Sequence, residues 1–220
     1  MAEHHQDQVT AVTVSVDGTK FASGGLDRSV LLCTLPECTF ESQLARCALP
    51  VRDLAFNHSA LLLAVASDEP QVRLLNVTNP AQAQTLRGVE GGARTVCFDP
   101  LGQYVAVIGG DGALRVFDVD SGAQSAHRAD LVGSRPDPNS APMMRMEWSP
   151  DGQLLAVPNE QGQVLLVGRG AGWTVTRRLN SFANSSAPAA KDLPATVARF
   201  SPCGQYLLHA CGRQLMLWEL

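Results

Sequence analysis

The residues with the clearest chemical potential are acidic side chains in short turns between apolar segments. Asp27 is followed by Arg28, and Asp111 is followed by Gly112, so each carboxylate lies in a setting typical of functional loops. Acidic side chains in tight turns, however, usually accept hydrogen bonds from nearby backbone N–H groups. We therefore predict structural roles for both, and no convergent set of residues points to catalysis.

Cysteine and histidine occur without the spacing of a metal site. The six cysteines form no C-x-x-C pair, and the five histidines are scattered along the chain. Reduced cysteines that mostly fill the core are the default in such a case. We expect Cys203 to be a weakly reactive thiol in a surface turn, and His4 and His5 to belong to a disordered terminus. No metal ion and no other cofactor is predicted.

One glycine-rich segment, GRGAG at 168–172, has the composition of a phosphate-binding loop. A loop of that kind needs a helix that begins directly after it, because the helix N-terminus binds the phosphate. The residues around this segment alternate as strands do, so we predict a hairpin turn.

Composition and charge further limit the classes of function that the chain can have. The 220 residues are 45% hydrophobic, which fits a single globular domain, and their net charge of −4 argues against a surface that binds nucleic acid by neutralising phosphates. Only Lys20 and Lys191 are lysines, so a local arginine patch remains open. No signal peptide is readable, and runs such as LLLAVA (61–66) are too short to cross a bilayer. We expect an intracellular protein with no membrane partner and at most weak or indirect DNA contact.

A fivefold internal repeat is the strongest pattern in the sequence. Each copy of about 27 residues contains a short alternating strand, a tight turn, an apolar strand, a second turn and another apolar strand. The copies span 9–35, 50–77, 93–119, 142–168 and 194–220. Such strands cannot bury both faces alone, so we expect the copies to stack as blades of an all-β protein.

The copies align on a bulky residue that closes the first strand and on the turn that follows it. We place the bulky position at Val16, Phe56, Phe98, Trp148 and Phe200. The turn position is Gly18, Ala60, Gly102, Gly152 and Gly204, with steps of 42, 42, 50 and 52 residues. In three copies the turn reads x-Pro-x-Gly, in which proline presets φ and glycine tolerates the exit conformation.

A fourth, outer strand is predicted in the segments that link the copies. These segments are 38–45, 81–88, a weakly marked piece near 123–132, and 173–180. The fifth copy reaches Leu220 at its third strand, so we predict that it has no outer strand of its own. An open edge of this kind recruits other chains, and we expect concentration-dependent self-association.

The residue pattern resembles the WD-repeat family of β-propellers. In three copies the third strand ends in a bulky residue plus a polar one, where that family has Trp-Asp: Leu75-Asn76, Phe117-Asp118 and Trp218-Glu219. We assign the family's acidic turn residue to Asp27, Asp68 and Asp111, and we find the family's histidine before the first strand in no copy. The resemblance implies an all-β propeller with five recognisable four-stranded blades, part of a larger ring of about seven.

Several stretches further resemble the amino-terminal propeller of the eukaryotic replisome adaptor family, the chromosome transmission fidelity and WD-repeat/HMG-box DNA-binding proteins. The most specific is MEWSPDGQLLAVPNEQGQVLLVGRGAGW (146–173), in which Pro158 replaces the Ser/Gly run of ordinary blades. GGDGALRVFDV (109–119) and FSPCGQYLL (200–208) add to the resemblance. It implies a non-catalytic, nuclear, protein-binding module of an adaptor that links replication-fork components. The implied partners are other proteins or short peptides of the replication fork or of chromatin.

In WD-repeat blades, the link before the first strand and the turn between the second and third strands share one face. On that face the repeat places a rim of both charge signs, which we predict to bind the partner: Arg28, Arg52, Asp68, Arg94, Asp111, Arg145, Glu160 and Arg213. Asp27 and Glu69 belong to the same rim. Insertions at 126–142 and 180–194, rich in Pro, Ser, Asn and Ala, should project there as mobile loops or docking segments.

Two alternatives stay open at this point. The first is a generic WD-repeat scaffold, nuclear or cytoplasmic, such as a ubiquitin-ligase substrate receptor or a trafficking subunit. The second, more distant, is a hydrolase or lyase propeller, which would need buried carboxylates or histidines that converge on the propeller axis.

Overall fold

The computed structural model describes residues 4–129, 131–132, 145–180, 195–212 and 214–220. In these residues the chain forms strands β1 to β19 and no helix. It follows that none of the described segments is a helix with the length and hydropathy to cross a bilayer.

The strands form five antiparallel sheets, each a meander of consecutive strands. The first sheet contains β1 (Val9–Val14), β2 (Lys20–Gly25), β3 (Ser29–Thr34) and β4 (Thr39–Arg46). The second contains β5 (Val51–Phe56), β6 (Leu62–Ser67), β7 (Gln71–Asn76) and β8 (Gln84–Arg87). The third contains β9 (Ala93–Phe98), β10 (Tyr104–Gly109), β11 (Leu114–Asp118) and β12 (Gln124–Arg128).

The remaining two sheets come from the fourth and fifth copies of the repeat. The fourth contains β13 (Glu147–Trp148), β14 (Leu154–Pro158), β15 (Gln163–Gly168) and β16 (Thr174–Asn180). The fifth contains β17 (Ala195–Phe200), β18 (Tyr206–Cys211) and β19 (Gln214–Glu219). We call the five sheets blades 1 to 5.

The predicted outer strands are confirmed in the first four blades. β8, β12 and β16 fall within the linking segments from which they were expected, including the weakly marked piece near 123–132, and β4 runs one residue beyond its segment. The fifth blade has three strands in the described part of the chain, as its sequence predicted.

The turns between the first and second strands confirm the predicted turn positions. They also show that the first strand of blade 1 ends earlier than predicted. Gly18, Ala60, Gly102, Gly152 and Gly204 all have φ between 59° and 73°, the left-handed conformation that glycine adopts without strain. The Ser15 amide donates a hydrogen bond to the Lys20 carbonyl in blade 1, and the Asn57 amide donates one to the Leu62 carbonyl in blade 2. Ser15 and Asn57 are therefore equivalent. Val14, not Val16, is therefore the equivalent of Phe56, and the prediction for the first copy was wrong by two residues.

By their internal contacts the residues divide into two compact units. Unit 1 comprises Met1–Asp111 and Arg115–His127, and unit 2 comprises Gly112–Leu114 and Arg128–Leu220. Blades 1 to 3 lie in unit 1 except for Leu114 and Arg128, and blades 4 and 5 lie in unit 2.

Each unit is held together by apolar side chains between the faces of consecutive blades. In unit 1, Ala22, Val30 and Leu32 of blade 1 pack in one cluster with Leu54 and Phe56 of blade 2. A second cluster joins blade 2 to blade 3 in the same manner. In unit 2, Ala156, Val164 and Leu166 of blade 4 pack with Ala198 and Leu207 of blade 5. The period-two alternation of the sequence thus gives blade 2 two buried faces, one against blade 1 and one against blade 3.

Candidate functional site

In unit 1, the link before each first strand meets the turn between the second and third strands of the same blade. The Leu26 amide donates to the Gln8 carbonyl in blade 1, and the Asp68 amide donates to the Pro50 carbonyl in blade 2. In blade 3 the Gly110 amide donates to the Gly92 carbonyl at 2.7 Å. The links and turns that carry the predicted rim residues therefore lie together at one end of each sheet.

In blade 1, His5 bridges the acidic residue of the turn and a serine of the second strand. Its Nδ1 lies 3.0 Å from an oxygen of Asp27, and its Nε2 lies 2.8 Å from Oγ of Ser23. Asp27 also accepts the backbone amides of Gln6 and Ser29. Two predictions were wrong here, because the histidine before the first strand is present in blade 1 and His5 is not part of a disordered terminus.

A serine, a histidine and a carboxylate in this order form the nucleophilic triad of many hydrolases. Here Ser23 is buried within β2, and the carboxylate already holds two backbone amides of the link and the turn. Burial pushes the pKa of Asp27 up, but the bonds from Gln6, Ser29 and His5 outweigh it and keep the pKa below its usual value. The arrangement fastens residues 5 and 6 to the turn.

In blade 2 the corresponding acid is Glu69, not Asp68 as predicted. Glu69 accepts the amide of Ala48, a residue of the preceding link, at 2.6 Å, just as Asp27 accepts that of Gln6. It also accepts hydrogen bonds from Gln71 and Arg73. Burial alone would raise the pKa of Glu69, but these bonds lower it below the usual value.

Asp68 instead joins two arginines of neighbouring blades. Arg52, in the first strand of blade 2, donates from Nε and Nη2 to its two oxygens at 2.9 and 2.7 Å. Arg94, in the first strand of blade 3, donates from Nη1 at 3.4 Å. All three side chains are partly exposed. The structure thus brings together three of the predicted rim residues.

In blade 3, Asp111 pairs with Arg115 within the same hairpin. Nη1 and Nη2 of Arg115 lie 3.0 and 2.6 Å from the two oxygens of Asp111. The arginine side chain is buried, whereas Asp111 keeps a quarter of its side-chain surface in contact with solvent. Asp111 therefore acts as the exposed member of a fixed ion pair, and Arg115 was missed because β11 reads as an apolar strand.

Arg28 is the exposed arginine of the blade 1 turn. Its backbone is left-handed, with φ of 68°, and its Nη1 donates to the Ala48 carbonyl at 3.4 Å. Since the Ala48 amide is held by Glu69, this link connects the turn of blade 1 to that of blade 2.

The structure describes two of the three predicted rim residues of unit 2. The amide of Glu160 donates to the Val132 carbonyl at 3.1 Å, and Arg145 forms an isolated parallel bridge with Val197. Arg213 lies outside the described residues, as do most of the insertions predicted at 126–142 and 180–194.

Buried polar bonds between blades 2 and 3 were not predicted. The carboxylate of Asp53, in β5, accepts the hydroxyl of Thr95 at 2.7 Å and the amide of Val96 at 3.1 Å, both in β9. Its other oxygen accepts the amide of Leu54. The hint in the sequence was an aspartate in a first strand, at the position that Ala11 and Val197 hold in the first and fifth copies.

Among the described residues, no three or more His, Cys, Asp or Glu side chains converge as metal ligands would. None of the six cysteines, all of which the structure describes, forms a disulfide bond. Burial raises the pKa of Cys47 to about 11. Hydrogen bonds from Ser201 and from the Gln205 amide lower the pKa of the exposed Cys203 thiol, which does lie in a surface turn.

Comparison with known proteins assigns these blades to a defined kind of domain. A family model described as the first WD40 domain of WDHD1 matches residues 2–220. WD repeat and HMG-box DNA-binding protein 1 of Mus musculus is 27% identical over 96% of this chain, which spans 18% of that protein. Minichromosome loss protein 1 of Schizosaccharomyces pombe is 26% identical over 70% of this chain, which spans 19% of that protein.

A further relative has a different name. Protein HIR1 of Eremothecium gossypii is 25% identical over 90% of this chain, which spans 26% of that protein. The chain thus spans between 18% and 26% of the length of these relatives.

Proposed function

Because the chain belongs to the family of WDHD1 first WD40 domains, we propose that it is a non-catalytic protein-interaction module of a nuclear adaptor in DNA replication and chromatin. Two of the relatives carry DNA binding or minichromosome loss in their names, which supports an adaptor that works on chromosomes. The partners are other proteins or short peptides, and any DNA contact is weak or indirect.

The observation that carries this proposal is the fixed arrangement of charges around Asp68. Arg52 and Arg94 reach one carboxylate from two blades, and the three side chains remain between a fifth and a quarter exposed. Charged groups that are already ordered lose little further conformational freedom when a partner binds. Both signs on one small surface favour a partner segment with complementary charges, and they fix its register more than its affinity.

The state of the turn acids supports a non-catalytic role. Asp27 and Glu69 each hold a backbone amide of the preceding link, and Asp111 holds the buried guanidinium of Arg115. A general acid or base has to exchange protons with a substrate at hydrogen-bond distance, whereas these carboxylates are occupied by groups that maintain the fold.

We include Arg28, Arg52, Asp68, Arg94 and Asp111 of unit 1 in the partner-binding surface. Arg145, Glu160 and Arg213 of unit 2 are a separate group of candidates. The two groups can be tested separately.

The test is charge reversal in the full-length protein. Arg94→Glu and Arg145→Glu, alone and together, should reduce what co-purifies with the tagged protein from nuclear extract, identified by mass spectrometry. Arg87→Glu, at an exposed position of the outer strand β8, is the matched control and should leave the set of partners unchanged. Circular dichroism should show folding intact, since ion pairs that keep contact with solvent contribute roughly 0 to 1 kcal/mol to stability.

Undiminished partner binding in all three variants, with folding intact, would exclude these residues from the interface. For DNA, the affinity of the chain should fall with salt as for about two or three phosphate contacts. A steep salt dependence with tight binding would contradict the weak or indirect DNA contact that we propose.

A further inference from the structure

The end of unit 1 opposite the rim is formed by two kinds of turn that meet in each of its three blades. The amide that follows the third strand donates to the carbonyl that precedes the second strand, at 2.8 to 2.9 Å: Leu35 to Thr19, Val77 to Leu61, and Val119 to Gln103. The turns after the first and the third strand therefore lie together. We call this end the lower end, and it contains residues 15–20, 34–41, 57–62, 76–84, 99–104 and 118–124.

The turn after the first strand exposes a large apolar side chain in all three blades. Val16, Leu61 and Leu101 keep 60%, 53% and 60% of their surface exposed. Tight turns are normally built from glycine, proline and short polar residues, and the equivalent turn of blade 4, SPDGQ (149–153), follows that rule. Single exposed apolar residues are common on protein surfaces, but one in the same turn of three consecutive blades indicates a contact surface.

The lower ends of neighbouring blades touch one another. Val77 of blade 2 belongs to the apolar cluster that joins blade 2 to blade 1. Leu62 packs against the cluster that joins blade 2 to blade 3, which contains Val119. A Cβ at Gly122, in blade 3, would lie 2.5 Å from the end of the Gln84 side chain in β8. A single partner segment can therefore contact the turns of more than one blade.

The charged side chains of the lower end are nearly all acidic. Its fully or partly exposed acids are Asp17, Glu37, Glu41, Asp118 and Asp120. Lys20 is the one lysine or arginine in these turns, all of which the structure describes, and its ammonium group pairs with Glu41 at 2.8 Å. The exposed groups sum to −4, whereas the whole of unit 1, with 14 acidic and 8 basic residues, sums to −6. The rim, in contrast, carries Arg28, Arg52 and Arg94.

Two of these carboxylates are already fixed in position. Oδ1 of Asp17 accepts the Ser15 hydroxyl at 2.6 Å and the Thr19 amide at 3.0 Å. Oδ1 of Asp118 accepts the hydroxyl and the amide of Ser121 at 2.7 and 2.8 Å. The serine hydroxyls, followed by the amides, lower the pKa of both carboxyls, so both are ionised at neutral pH. Charges that are ordered in this way lose little further freedom when a partner binds.

We propose that the lower end of unit 1 is a second interaction surface, separate from the rim, which binds a basic segment of another protein that also carries large aliphatic side chains. The aliphatic side chains pack on Val16, Leu61 and Leu101, and lysine or arginine side chains pair with Asp17 and Asp118. The acidic charge repels nucleic acid phosphates and the lower end of a second copy. Further blades of the same domain leave this surface open, because the blades of a ring pack through their sheet faces.

Peptide selection followed by titration tests the proposal. Random twelve-residue peptides displayed on phage are selected on the immobilised protein, and the enriched peptides should combine lysine or arginine with leucine, isoleucine or phenylalanine. The most enriched peptide, synthesised with a fluorescein label, is then titrated with the protein by fluorescence polarisation.

Two variants remove the two components of the surface. An apolar variant (Leu61→Ser with Leu101→Ser) and a charge variant (Asp17→Asn with Asp118→Asn) should each weaken peptide binding by about tenfold or more. The charge variant should also reduce the salt dependence. Leu49→Ser, at an exposed leucine before β5, is the matched control and should leave binding unchanged.

The rim variant Arg94→Glu should also leave peptide binding unchanged, so this test can fail or succeed independently of the function proposed for the rim. Circular dichroism should show that all variants fold. A selection without enrichment, enriched peptides without basic residues, or binding that survives in the apolar or the charge variant would each overturn the proposal. Sedimentation velocity tests the alternative occupant: a wild-type mass that rises with concentration and stays monomeric in the apolar variant would assign the surface to a second copy instead.

Discussion

The carboxylate of Asp53 accepts a hydrogen bond from the hydroxyl of Thr95 at 2.7 Å, between the first strands of two neighbouring blades. Both side chains are buried. The same oxygen of Asp53 accepts the amide of Val96, so one carboxylate group satisfies a side chain and a backbone group of the next sheet. Removing a donor from such a buried contact leaves an acceptor that water does not reach, which costs more than losing an exposed bond.

Thr95→Val should lower the free energy of unfolding by about 1.5 to 3 kcal/mol. Valine keeps the shape and the strand preference of threonine, but it leaves the buried carboxylate without one of its donors. Chemical denaturation monitored by circular dichroism measures the change. Thr85→Val, at an exposed site of the outer strand β8, should change stability by about 0.5 kcal/mol or less, and equal losses in both variants would contradict the role of Asp53.

His5→Ala should destabilise unit 1 by about 1 to 3 kcal/mol, since Asp27 and Ser23 each lose a partly buried partner. Hydrogen exchange should show faster exchange at Gln6 and Ser29, whose amides Asp27 accepts. His58→Ala, at an exposed histidine in a turn of blade 2, is the control. Unchanged exchange in His5→Ala would show that the histidine is dispensable for the turn.

The buried His209 should make folding sensitive to mild acid. Nε1 of Trp218 donates to Nδ1 of His209 at 2.9 Å, which requires that Nδ1 carries no proton. Burial lowers the pKa of His209 below its usual value of 6.5, so the unfolded chain takes up a proton more readily than the folded chain. Stability is therefore complete above the unfolded pKa and falls as the pH drops from about 6.5 towards the folded pKa.

Denaturation midpoints between pH 7.5 and 5 measure this effect, at about 1.4 kcal/mol for each unit by which the pKa is lowered. His209→Gln should remove the acid-dependent part, and His58→Ala should retain it. A wild-type midpoint that stays constant over this range would contradict the prediction. The hydrogen bonds to Asp27 and Glu69 are lost at lower pH. Because the folded state depresses the pKa of both carboxyls, their contribution to stability falls only as the pH drops below their unfolded pKa values.

Alanine substitutions at two glycines in left-handed conformations distinguish the loss of stability caused by backbone strain from the loss caused by a steric clash. Gly88 and Gly92 have φ of 89° and 78°, so alanine is strained at both. A Cβ at Gly92 would lie 2.7 Å from the backbone of Asp68, whereas one at Gly88 would meet nothing within 4 Å. Gly88→Ala should cost about 1 kcal/mol.

Gly92→Ala should cost more and should also displace the turn that holds Asp68. Thermal unfolding of the two variants compares the costs, and the co-purification test for Arg94→Glu reports on the surface. A Gly92→Ala variant as stable as Gly88→Ala would show that the link can move away from the turn.

The features that could be predicted from the sequence are those that local alternation and turn chemistry encode. The outer strands were found because segments such as WTVTRRLN alternate over a strand's length between turn residues, and the turns because φ above zero selects glycine at four of five positions. The end of β1 was misplaced because VTVSV alternates evenly, so nothing local indicates which valine closes the strand.

The polar contacts of the rim were harder to predict from the sequence, because they join residues that are distant along the chain. His5 lies in a polar terminal stretch, and its partner Asp27 is 22 residues away. Asp68 and Glu69 are adjacent acids, and only the position of the Ala48 amide decides which of them takes the role of Asp27. Contacts of this kind depend on how the chain returns to each turn, which the repeat pattern does not specify.

The bond from Asp53 to the Val96 amide also bears on how unit 1 unfolds. A strand amide of blade 3 is held by a side chain of blade 2, and a turn of blade 1 is joined through Ala48 to Glu69 of blade 2. Opening one sheet therefore releases bonds that belong to the next, as nearest-neighbour coupling does in repeat proteins. The three sheets should then exchange their amide protons as one cooperative unit, with the outer strands fraying first.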